Sequence, residues 1–515
     1  MIKEQLVKIY HTAEKIKTKS VAKISALLAI HRDTVKRRLK TLQSRQHHPC
    51  AAVFETQPGQ QWIQLLVILA IFYFGIKSNI GSAVISEFLT MLGVGLYLGV
   101  STGSIKRIEQ HIDKLITQFG HNQNAVLLPL AKDIEIHAGA DETFFEQHNV
   151  LVFMDLVSGF IIKEEIKQKR TLSVWKETVL ACTTYFKSFK SLISDGSRVL
   201  KGLSRKVLHT IHFADLFHLL HYASSVMRFQ FSAKIKSIEK KMGKITDNNT
   251  LTELEKNRQC LVDGQNQFRQ VLKDISLSVH PFHINSNAAA NSDEVERMLI
   301  NSADLLDEIK MNCQLSDKKK KLVTFRNQLK DASPQIDQWW IWAKKSLTHY
   351  QTPNEVNKWL LHTLLPMVYW QQQLKKCRNK ALKPFYEKTL LLSTAHYNNH
   401  TLTKINNNPQ WLAWAEWMSS LFQRTTSAVE GRNGVLSLVS HFSRGLSKSR
   451  LSSLTIVHNF HIRRSDNTTA AQRLFKTNHD SLLEYLAENI IDFPLPRARK
   501  AVNYFEPLYL RIKSA

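Results

Sequence analysis

IEIHAGADETFFEQHNVLVFMDLVSGFIIKEEI, residues 134–166, is the stretch that decides the predicted fold. It contains three β-prone runs, over residues 134–145, 149–157 and 160–166. The pair Ser158–Gly159 separates the second run from the third. Apolar and β-branched runs bounded by turn residues are typical of strands, and a short Gly-containing connection is typical of a hairpin. The stretch therefore predicts three consecutive strands.

The sequence that follows predicts two more strands, each preceded by a helix. A helix is predicted over residues 171–187, a short buried strand over SLISD at 191–195, and a last strand over HTIHFA at 209–214. Gly196 opens a turn, and a short helix follows it. The order β-β-β-α-β-α-β predicts an α/β core with a mixed sheet.

Three acidic residues are notable for their settings. Asp141 lies in the first run, Asp195 ends the fourth, and Glu430 lies in the helix-like stretch TTSAVEGRNGVLS at 425–437. Two Mg²⁺ ions about 4 Å apart can activate an attacking oxygen and stabilise a leaving one. Mg²⁺ prefers carboxylate oxygens and keeps several waters, so a few acids suffice. The set therefore indicates two-metal phosphodiester chemistry.

Each acid by itself also has a plainer interpretation. Asp141 could be a solvated strand acid, with the neighbouring Glu142 as a substitute ligand. Glu430 could pair with Arg432 on the surface, and no spacing rule prefers it over Glu416. The local pattern VEGRN favours Glu430.

The balance of charge predicts a polyanionic partner. The 515 residues include 70 Lys and Arg against 43 Asp and Glu, a net charge of +27. Such an excess favours nucleic acid first and an anionic membrane surface second. Five scattered cysteines without a CxxC pair favour reduced thiols in an intracellular protein.

Residues 20–43, SVAKISALLAIHRDTVKRRLKTLQ, predict a helix-turn-helix with a turn near 29–31. Asp33 or Thr34 is expected to cap the second helix. A recognition helix lies in the major groove, where cations reach phosphates. An ordinary basic helix pair is the alternative. The first helix carries the apolar residues Val21, Ile24, Leu27 and Leu28, and Val35 and Leu39 of the second helix are expected to face inward. The candidate DNA-binding residues are Arg32, Lys36, Arg37 and Arg38.

A second, weaker unit of this type is predicted over residues 84–116, where Ser101 or Thr102 would cap a helix that carries Lys106 and Arg107. The apolar segments around it are too interrupted for a membrane span of about 20 residues. We therefore expect buried helices and no membrane association.

No strand pattern persists between residues 224 and 420, so an all-helical insertion is predicted, with a helical hairpin over 235–273. Its tryptophans, three of them spaced every three residues from Trp411, are typical of a helical core. Downstream of Glu430, a basic stretch offers phosphate ligands or simply a solvated face; its candidates are Arg444, Lys448 and Arg450. The predicted domains are 1–45, a helix-turn-helix; 59–125, a second helical domain; 130–223, the first part of the core; 224–420, the insertion; 421–465, the closing part of the core with Glu430; and 466–515, a C-terminal tail.

The order Asp141, Asp195, Glu430 resembles the DDE signature of RNase H-like transposases of bacterial insertion sequences. The 235 residues between the last two acids (430 − 195) resemble the branch with an all-helical insertion, which includes the Mutator and hAT superfamilies. That branch has a D-x-x-H motif after the next strand, and HFADLFHLLHY supplies Asp215 and His218. The resemblance covers roughly residues 130–225 and 421–465.

The resemblance implies an RNase H-like α/β core, interrupted by an all-α insertion and preceded by helix-turn-helix domains. It implies a transposase that cuts the DNA ends of a mobile element and transfers the freed 3′-hydroxyl to target DNA. Double-stranded DNA and further copies of the chain are the implied partners, in the bacterial cytoplasm at the nucleoid.

The resemblance also implies roles for single residues. Two Mg²⁺ or Mn²⁺ ions would bind, with Asp141 bridging both, Asp195 holding one and Glu430 completing the second site. His218 would contact the scissile phosphate or a water and would be oriented by Asp215. The family's final Glu often has a helical Asn three residues on, as Asn433 is here.

Two alternatives remain at this point. One is a catalytically inactive, domesticated DNA-binding protein that keeps the fold, which the intact acids count against. The other is an RNase H-like nuclease acting on branched or hybrid nucleic acid. The predicted helix-turn-helix units disfavour it, because such a nuclease does not need to read sequence.

Overall fold

The structure, a computed structural model, describes residues 2–17, 20–45, 53–145, 148–318, 320–405, 408–443, 445–490 and 493–496. These residues form two compact units. The first unit comprises the described residues among 1–129 and 435–515, and the second comprises those among 130–434.

The second unit contains a five-stranded mixed sheet with the strand order β3-β2-β1-β4-β5. The strands are β1 (Glu135–Phe145), β2 (His148–Asp155), β3 (Ile161–Lys167), β4 (Ser188–Ser194) and β5 (Ile211–Ala214). Strand β2 runs antiparallel to both β1 and β3, whereas β1, β4 and β5 are mutually parallel. The predicted strands and their order along the chain are confirmed.

The sheet sits where the sequence is most continuously apolar. Strand β2 is buried along its length after its first residue, as expected of a strand covered on both faces. Asp155 ends it, and its carboxylate accepts hydrogen bonds from Ser158 N at 2.7 Å and Ser158 Oγ at 2.6 Å. This Asp therefore forms the hairpin turn.

The rest of the second unit is helical. Its π-helical segments are Ser204–Leu208 and Leu360–Leu364, and 3₁₀ turns cover Leu128–Asp133 and Thr348–Tyr350. The helices around the sheet and in the insertion are α7 (Leu172–Thr183), α8 (Arg198–Leu203), α9 (Leu216–Met242), α10 (Asn248–Ser278), α11 (Ser292–Asn312), α12 (Lys321–Leu329), α13 (Pro334–Leu347), α14 (Asn354–Trp359), α15 (Leu365–Lys376), α16 (Lys383–Asn399), α17 (Thr401–Ile405) and α18 (Pro409–Leu421).

The insertion starts earlier than predicted. Helix α9 begins directly after β5 and runs uninterrupted through the expected boundary at residues 223–224. It pairs with α10 as the predicted helical hairpin. The helical region thus extends from Leu216 to Leu421 and is continuous with the sheet at its start.

Most tryptophans of the insertion lie in its core, as predicted. The indole N–H of Trp339 donates to the carbonyl of Met418 at 3.0 Å, and that of Trp340 donates to the carbonyl of Ala290 at 3.1 Å. These bonds satisfy the polar end of each buried ring. Trp417 differs, because 47% of it is exposed.

The first unit begins with three helices, α1 (Ile2–Lys15), α2 (Val21–Leu28) and α3 (Arg32–Arg45). Their core contains Ile9, Ile24, Val35 and Leu39, and partly buried side chains including Val21 and Leu28 pack on it. The predicted helix-turn-helix elements are confirmed.

Leu27, on α2, is 63% exposed. One detail of the prediction is wrong. The start of α3 is capped by His31, whose Nδ1 accepts from Asp33 N at 3.3 Å and whose carbonyl accepts from Thr34 N and Val35 N. The side chains of Asp33 and Thr34 do not provide that bond, since the turn already places His31 over the free N–H groups.

The remaining helices of the first unit are α4 (Gln57–Ala70), α5 (Ser82–Met91), α6 (Thr102–Leu127), α20 (Lys448–Phe460), α21 (Ala470–Phe475) and α22 (Leu482–Asn489), with a π-helix at Ile71–Lys77 and a 3₁₀ turn at Val94–Leu96. Helix α19 (Ser427–Ser443) crosses from one unit into the other in sequence. Ser101 caps α6, as predicted, by accepting from Ser104 N.

The C-terminal part of the chain differs from the predicted division. Helices α20 and α22 pack on α6 within the first unit, so residues 435–465 do not group with the sheet and residues 466–490 are not a tail. A Cβ at Gly120 would lie 2.1 Å from Ile456 Cδ1, so glycine is what lets α6 and α20 approach.

Within the described residues, one helical segment, Gln57–Lys77, is long and apolar enough to cross a membrane by length and composition. Its mean hydropathy is 1.5, and 44% of its most apolar window is buried inside the first unit. A core helix passes the same test.

Candidate metal centre

Three parallel strands align acidic residues of the second unit: Asp141 lies within β1, and Asp195 and Asp215 directly follow β4 and β5. Gly139 of β1 pairs with Ile193 of β4, and Asp141 and Asp195 each lie two residues further on. Residues two apart on a strand point to the same face, and neighbouring strands lie about 4.8 Å apart. The two aspartates are therefore presented side by side, as the sequence predicted from the strand order.

Helix α19 brings Glu430 to the same place. Glu430 lies in its first turn, and Val429 packs against β1 at Gly139. A Cβ on Gly139 would lie 2.5 Å from Leu156 Cδ2 and 3.1 Å from Val429 Cγ2. The glycine therefore permits the close approach of helix and strand that sets the Glu430 side chain beside Asp141.

Three predicted site residues converge. Ligand atoms of Asp141, His218 and Glu430 all lie within 4.8 Å of one another. His218 Nε2 is 3.0 Å from Glu430 Oε1, an ion-pair distance without the alignment of a directed hydrogen bond. Asn433 lies one turn after Glu430, and its Nδ2 donates to Asp141 Oδ2 at 2.8 Å. Residues up to 292 positions apart thus share one site.

Asp195 lies beside this group rather than within it. Its Oδ1 accepts a hydrogen bond from Ser197 N at 2.9 Å, across the turn at Gly196 with φ +76°. Its charge acts on Asp141 and on Tyr222, raising the pKa of each after the larger effect of burial. Asp195 therefore faces the same space from the adjacent strand.

Asp215 positions the site without entering the cluster of ligand atoms. It caps α9 by accepting from Phe217 N at 2.7 Å. Its other oxygen accepts from Thr426 N at 3.1 Å and from the Thr426 hydroxyl. Asp215 Oδ2 is 3.9 Å from His218 Nε2, so it also attracts the imidazole. One buried carboxylate thus joins the start of α9 to the residue just before α19.

The sequence did not predict a second interaction, which fixes α19 to the sheet. Arg432 forms a two-pronged salt bridge with Glu164 of β3, at 2.9 and 2.7 Å, and both side chains are buried. The alternative pairing of Arg432 with Glu430 is therefore wrong. No pattern at Glu164 distinguishes it from the neighbouring strand acid Glu165, so only the fold could identify it.

The competing acids point elsewhere. Glu142 follows Asp141 on β1 and faces the opposite side of the sheet, where it accepts from Trp175 Nε1 at 2.9 Å and pairs with Arg170 at 3.1 Å. Glu416 is exposed on α18. The alternation of side chains along a strand separates Asp141 from Glu142.

The site is electrostatically crowded. Burial raises the pKa of Asp141 to about 7, and the charges of Glu430 and Asp195 add to that effect. The contact with His218 lowers the pKa of Glu430. Burial opposes protonation of His218, but Glu430, Asp215 and Asp141 together raise its pKa to about 9. His218 therefore carries the positive charge that balances the carboxylates.

These residues fit a divalent cation. Clustered carboxylates repel one another, and a cation relieves that repulsion. Oxygen donors are the ligands that Mg²⁺ and Mn²⁺ prefer. The buried Oδ1 of Asn433 has no hydrogen-bond partner within the described part of the chain, so a further oxygen is available there.

The predicted DNA-binding cations lie in the first unit and differ in their exposure. Arg32, Lys36 and Arg37 are exposed on α3, and Arg38 is partly buried. Further on, Lys106, Arg107 and Lys448 are exposed as well. Arg450 instead forms ion pairs with Glu109 at 2.5 Å and Asp113 at 3.1 Å, and these pairs connect α20 to α6. Arg444 lies outside the described residues.

The C-terminal part of the chain is similar to a known protein family. A family model described as a family of unknown function (DUF6399) matches residues 360–502. The matched region includes Glu430 and Asn433, whereas Asp141 and His218 precede it. No curated protein matches the chain.

Proposed function

We propose that the protein is a metal-dependent DNA strand-cleaving and strand-transferring enzyme, a transposase of the DDE type. The observation that carries the proposal is the convergence of Asp141, His218 and Glu430 within 4.8 Å, with Asp195 on the adjacent strand. Carboxylates on the central strand, just after the next parallel strand and on the helix that packs beside them are hard ligands that suit phosphodiester chemistry.

The architecture supports an RNase H-like core. The chain order β-β-β-α-β-α-β, the strand order β3-β2-β1-β4-β5 and the single antiparallel strand β2 support the fold that the DDE resemblance implies. The helical insertion between the second acid and Glu430 fits the same branch of the family.

Asp141, Asp195 and Glu430 would hold the two Mg²⁺ or Mn²⁺ ions. Bound there, the ions would polarise the scissile phosphate and activate the attacking oxygen. Asp141 must lose its proton for that role, and Asn433 Nδ2 then holds the ionised carboxylate in place.

His218 has a distinct task in this proposal. Its Nε2 carries a proton at neutral pH, because neighbouring carboxylates raise its pKa to about 9. With cations bound to those carboxylates, the His218 N–H would be available to donate to a phosphate oxygen. Asp215 is fixed by its hydrogen bonds to the start of α9 and to Thr426, and it would keep the imidazole oriented, as a carboxylate partner does for a histidine.

The exposed cations of α3 support duplex DNA as the substrate. We propose that this helix and α6 bind the element's ends, that two or more copies join the two ends, and that the protein acts at the bacterial nucleoid in the cytoplasm.

The test is strand cleavage of DNA carrying the gene's own flanking ends, with Mg²⁺ or Mn²⁺. Asp195→Ala and Glu430→Gln are compared with Glu142→Gln, a matched change to a carboxylate on the opposite face of β1. We expect metal-dependent nicking in the wild type and in Glu142→Gln only.

Nicking that persists in Asp195→Ala would refute the site assignment. Specific DNA binding without nicking in any variant would support the inactive, domesticated DNA-binding protein instead.

A further inference from the structure

A cleft of about 570 Å³ opens between α9, α10 and the segment around residues 379–382. The apolar residues that line it include Leu220, Leu272 and Leu382. A space of this size accommodates a drug-sized ligand, which corresponds to about one or two nucleotides.

The rim of the cleft is cationic. Arg228, Arg269 and Lys273 line it, and no residue that lines it carries a carboxylate. None of the three forms a salt bridge with another described residue; Arg269 contacts only the amide oxygen of Asn266 at 3.5 Å, and Lys273 lies over the Phe385 ring. Unneutralised cations around a small cleft favour an anionic occupant.

The cleft adjoins the carboxylate site through the first turns of α9. Phe217 and His221 line it and flank His218, which reaches Glu430. The Phe217 ring stacks with His221 at 6.3 Å and contacts the His218 ring at 5.6 Å, and about half of it is exposed. An aromatic face therefore stands between the two spaces.

An occupant that spans both spaces must carry regularly spaced negative charges and flat rings. The phosphates of a nucleic-acid strand match the cations, and its bases match the Phe217 face. Gln270 Nε2 already donates to Asp274 Oδ1 and Asn379 Oδ1 already accepts from Ala381 N, so Gln270 Oε1 and Asn379 Nδ2 are the amide atoms left for base edges. Stacking on an aromatic side chain together with a cationic groove is how proteins bind unpaired strands.

We propose that the cleft between α9 and α10 binds unpaired nucleotides of the substrate strand next to the phosphodiester held at the carboxylate site. This assignment takes its substrate, DNA, from the proposed function. It adds that the DNA strand is unpaired where it enters the cleft.

The test measures binding without cleavage. Full-length Asp141→Asn protein, without added metal, is titrated against a labelled oligothymidylate of about ten nucleotides and against a duplex of equal length. Arg269→Glu is compared with Lys256→Glu, an equal change of charge at an exposed position on the same helix, about 20 Å away along its axis.

We expect Arg269→Glu to weaken single-strand binding roughly tenfold more than Lys256→Glu does, and to lower the salt dependence by about 0.7 per lost phosphate contact. Duplex binding should respond equally to the two changes. Phe217→Ala should weaken binding of the oligothymidylate about fivefold or more, and leave an abasic oligomer unaffected.

Equal losses of single-strand binding in Arg269→Glu and Lys256→Glu would overturn the assignment. So would a loss of duplex binding in Arg269→Glu as large as its loss of single-strand binding. Wild-type nicking is measured separately. If the wild type nicks DNA but Arg269→Glu and Lys256→Glu bind the single strand equally, the cleft assignment is wrong and the proposed function stands. If it does not nick but the selective loss persists, the proposed function fails and the cleft still binds a single strand.

Discussion

Asp141 is the residue at which the stability and the proposed chemistry of the site conflict. Its carboxylate is partly buried, faces two further acids, and has its pKa raised to about 7. Burial and the neighbouring acids disfavour the ionised form of this carboxylate, and protonation or a bound cation removes that unfavourable interaction. Active sites commonly show such strain.

Replacing this carboxylate should stabilise the protein. Because the folded-state pKa of Asp141 lies above its usual value of 3.8, the folded chain binds more protons between these values, and stability is lost as pH rises through 7. We expect Asp141→Asn to raise the free energy of unfolding at pH 8 by about 1–2 kcal/mol, discounted for the solvated part of the side chain. The gain should vanish near pH 4.

Thermal unfolding at both pH values, with and without Mn²⁺, measures this effect. The wild type should gain stability on adding Mn²⁺, and Asp141→Asn should not. Destabilisation by Asp141→Asn at pH 8 would contradict the electrostatic account.

Metal affinity should depend on pH in a definite direction. A cation binds the ionised carboxylate, so binding below pH 7 must displace the proton of Asp141. His218, with a pKa of about 9, stays protonated across this range. We expect Mn²⁺ affinity to rise about tenfold per pH unit up to about 7 and then to level off, as measured by calorimetric titration. A flat profile would mean that Asp141 is not a ligand, whereas Glu142→Gln should keep the slope.

At the scale of elements, the site depends on how closely α19 approaches β1. The Gly139 contact with Val429, the Asp215 bonds to Thr426 and the Arg432–Glu164 salt bridge each fix one part of that approach. The side chains that carry the chemistry are therefore placed by residues that have no part in it.

Gly139→Ala should damage the site more than the fold. The new methyl group meets Leu156 and Val429, so α19 must shift away from β1. Overpacking of this kind costs about 1–3 kcal/mol, and we expect Mn²⁺-induced stabilisation to be lost. Gly431→Ala is the matched control, because a Cβ there meets open space on the same helix. Equal Mn²⁺ responses in the two variants would show that the close approach is not required.

At the scale of the whole molecule, the insertion leaves and re-enters the core at one point. Asp215 directly precedes α9 and Thr426 directly precedes α19, and these two residues are hydrogen-bonded. The long separation between Asp195 and Glu430 therefore costs the site little, because the ends of the inserted segment are tied together.

The second unit should function as a separate module in metal binding. All residues of the proposed metal site lie within residues 130–434, and that unit has its own cores. We expect a fragment of residues 130–443, which keeps α19 whole, to fold cooperatively and to gain stability with Mn²⁺. Circular dichroism and thermal unfolding measure both. An unfolded fragment, or one without the Mn²⁺ response, would mean that the first unit is needed to form the site.

Local sequence determined much of this protein. Apolar, β-prone runs bounded by turn residues located all five strands, and the order of strands and helices placed Asp141 on one strand and Asp195 at the end of the adjacent parallel strand. The apolar spacing in α2 and α3 located a helix-turn-helix to within a residue or two. These features depend on interactions between residues that are close in the sequence, so the local pattern of residues is enough to predict them.

Only the tertiary structure decided the rest. The choice of Asp141 over Glu142 follows from which face of β1 meets α19, and the choice of Glu430 over Glu416 follows from which helix packs on the sheet. The burial of Arg450 against α6 and the grouping of residues 445–490 with the first unit are likewise long-range contacts. Such contacts join residues hundreds of positions apart, and no local periodicity encodes which of several similar side chains will meet.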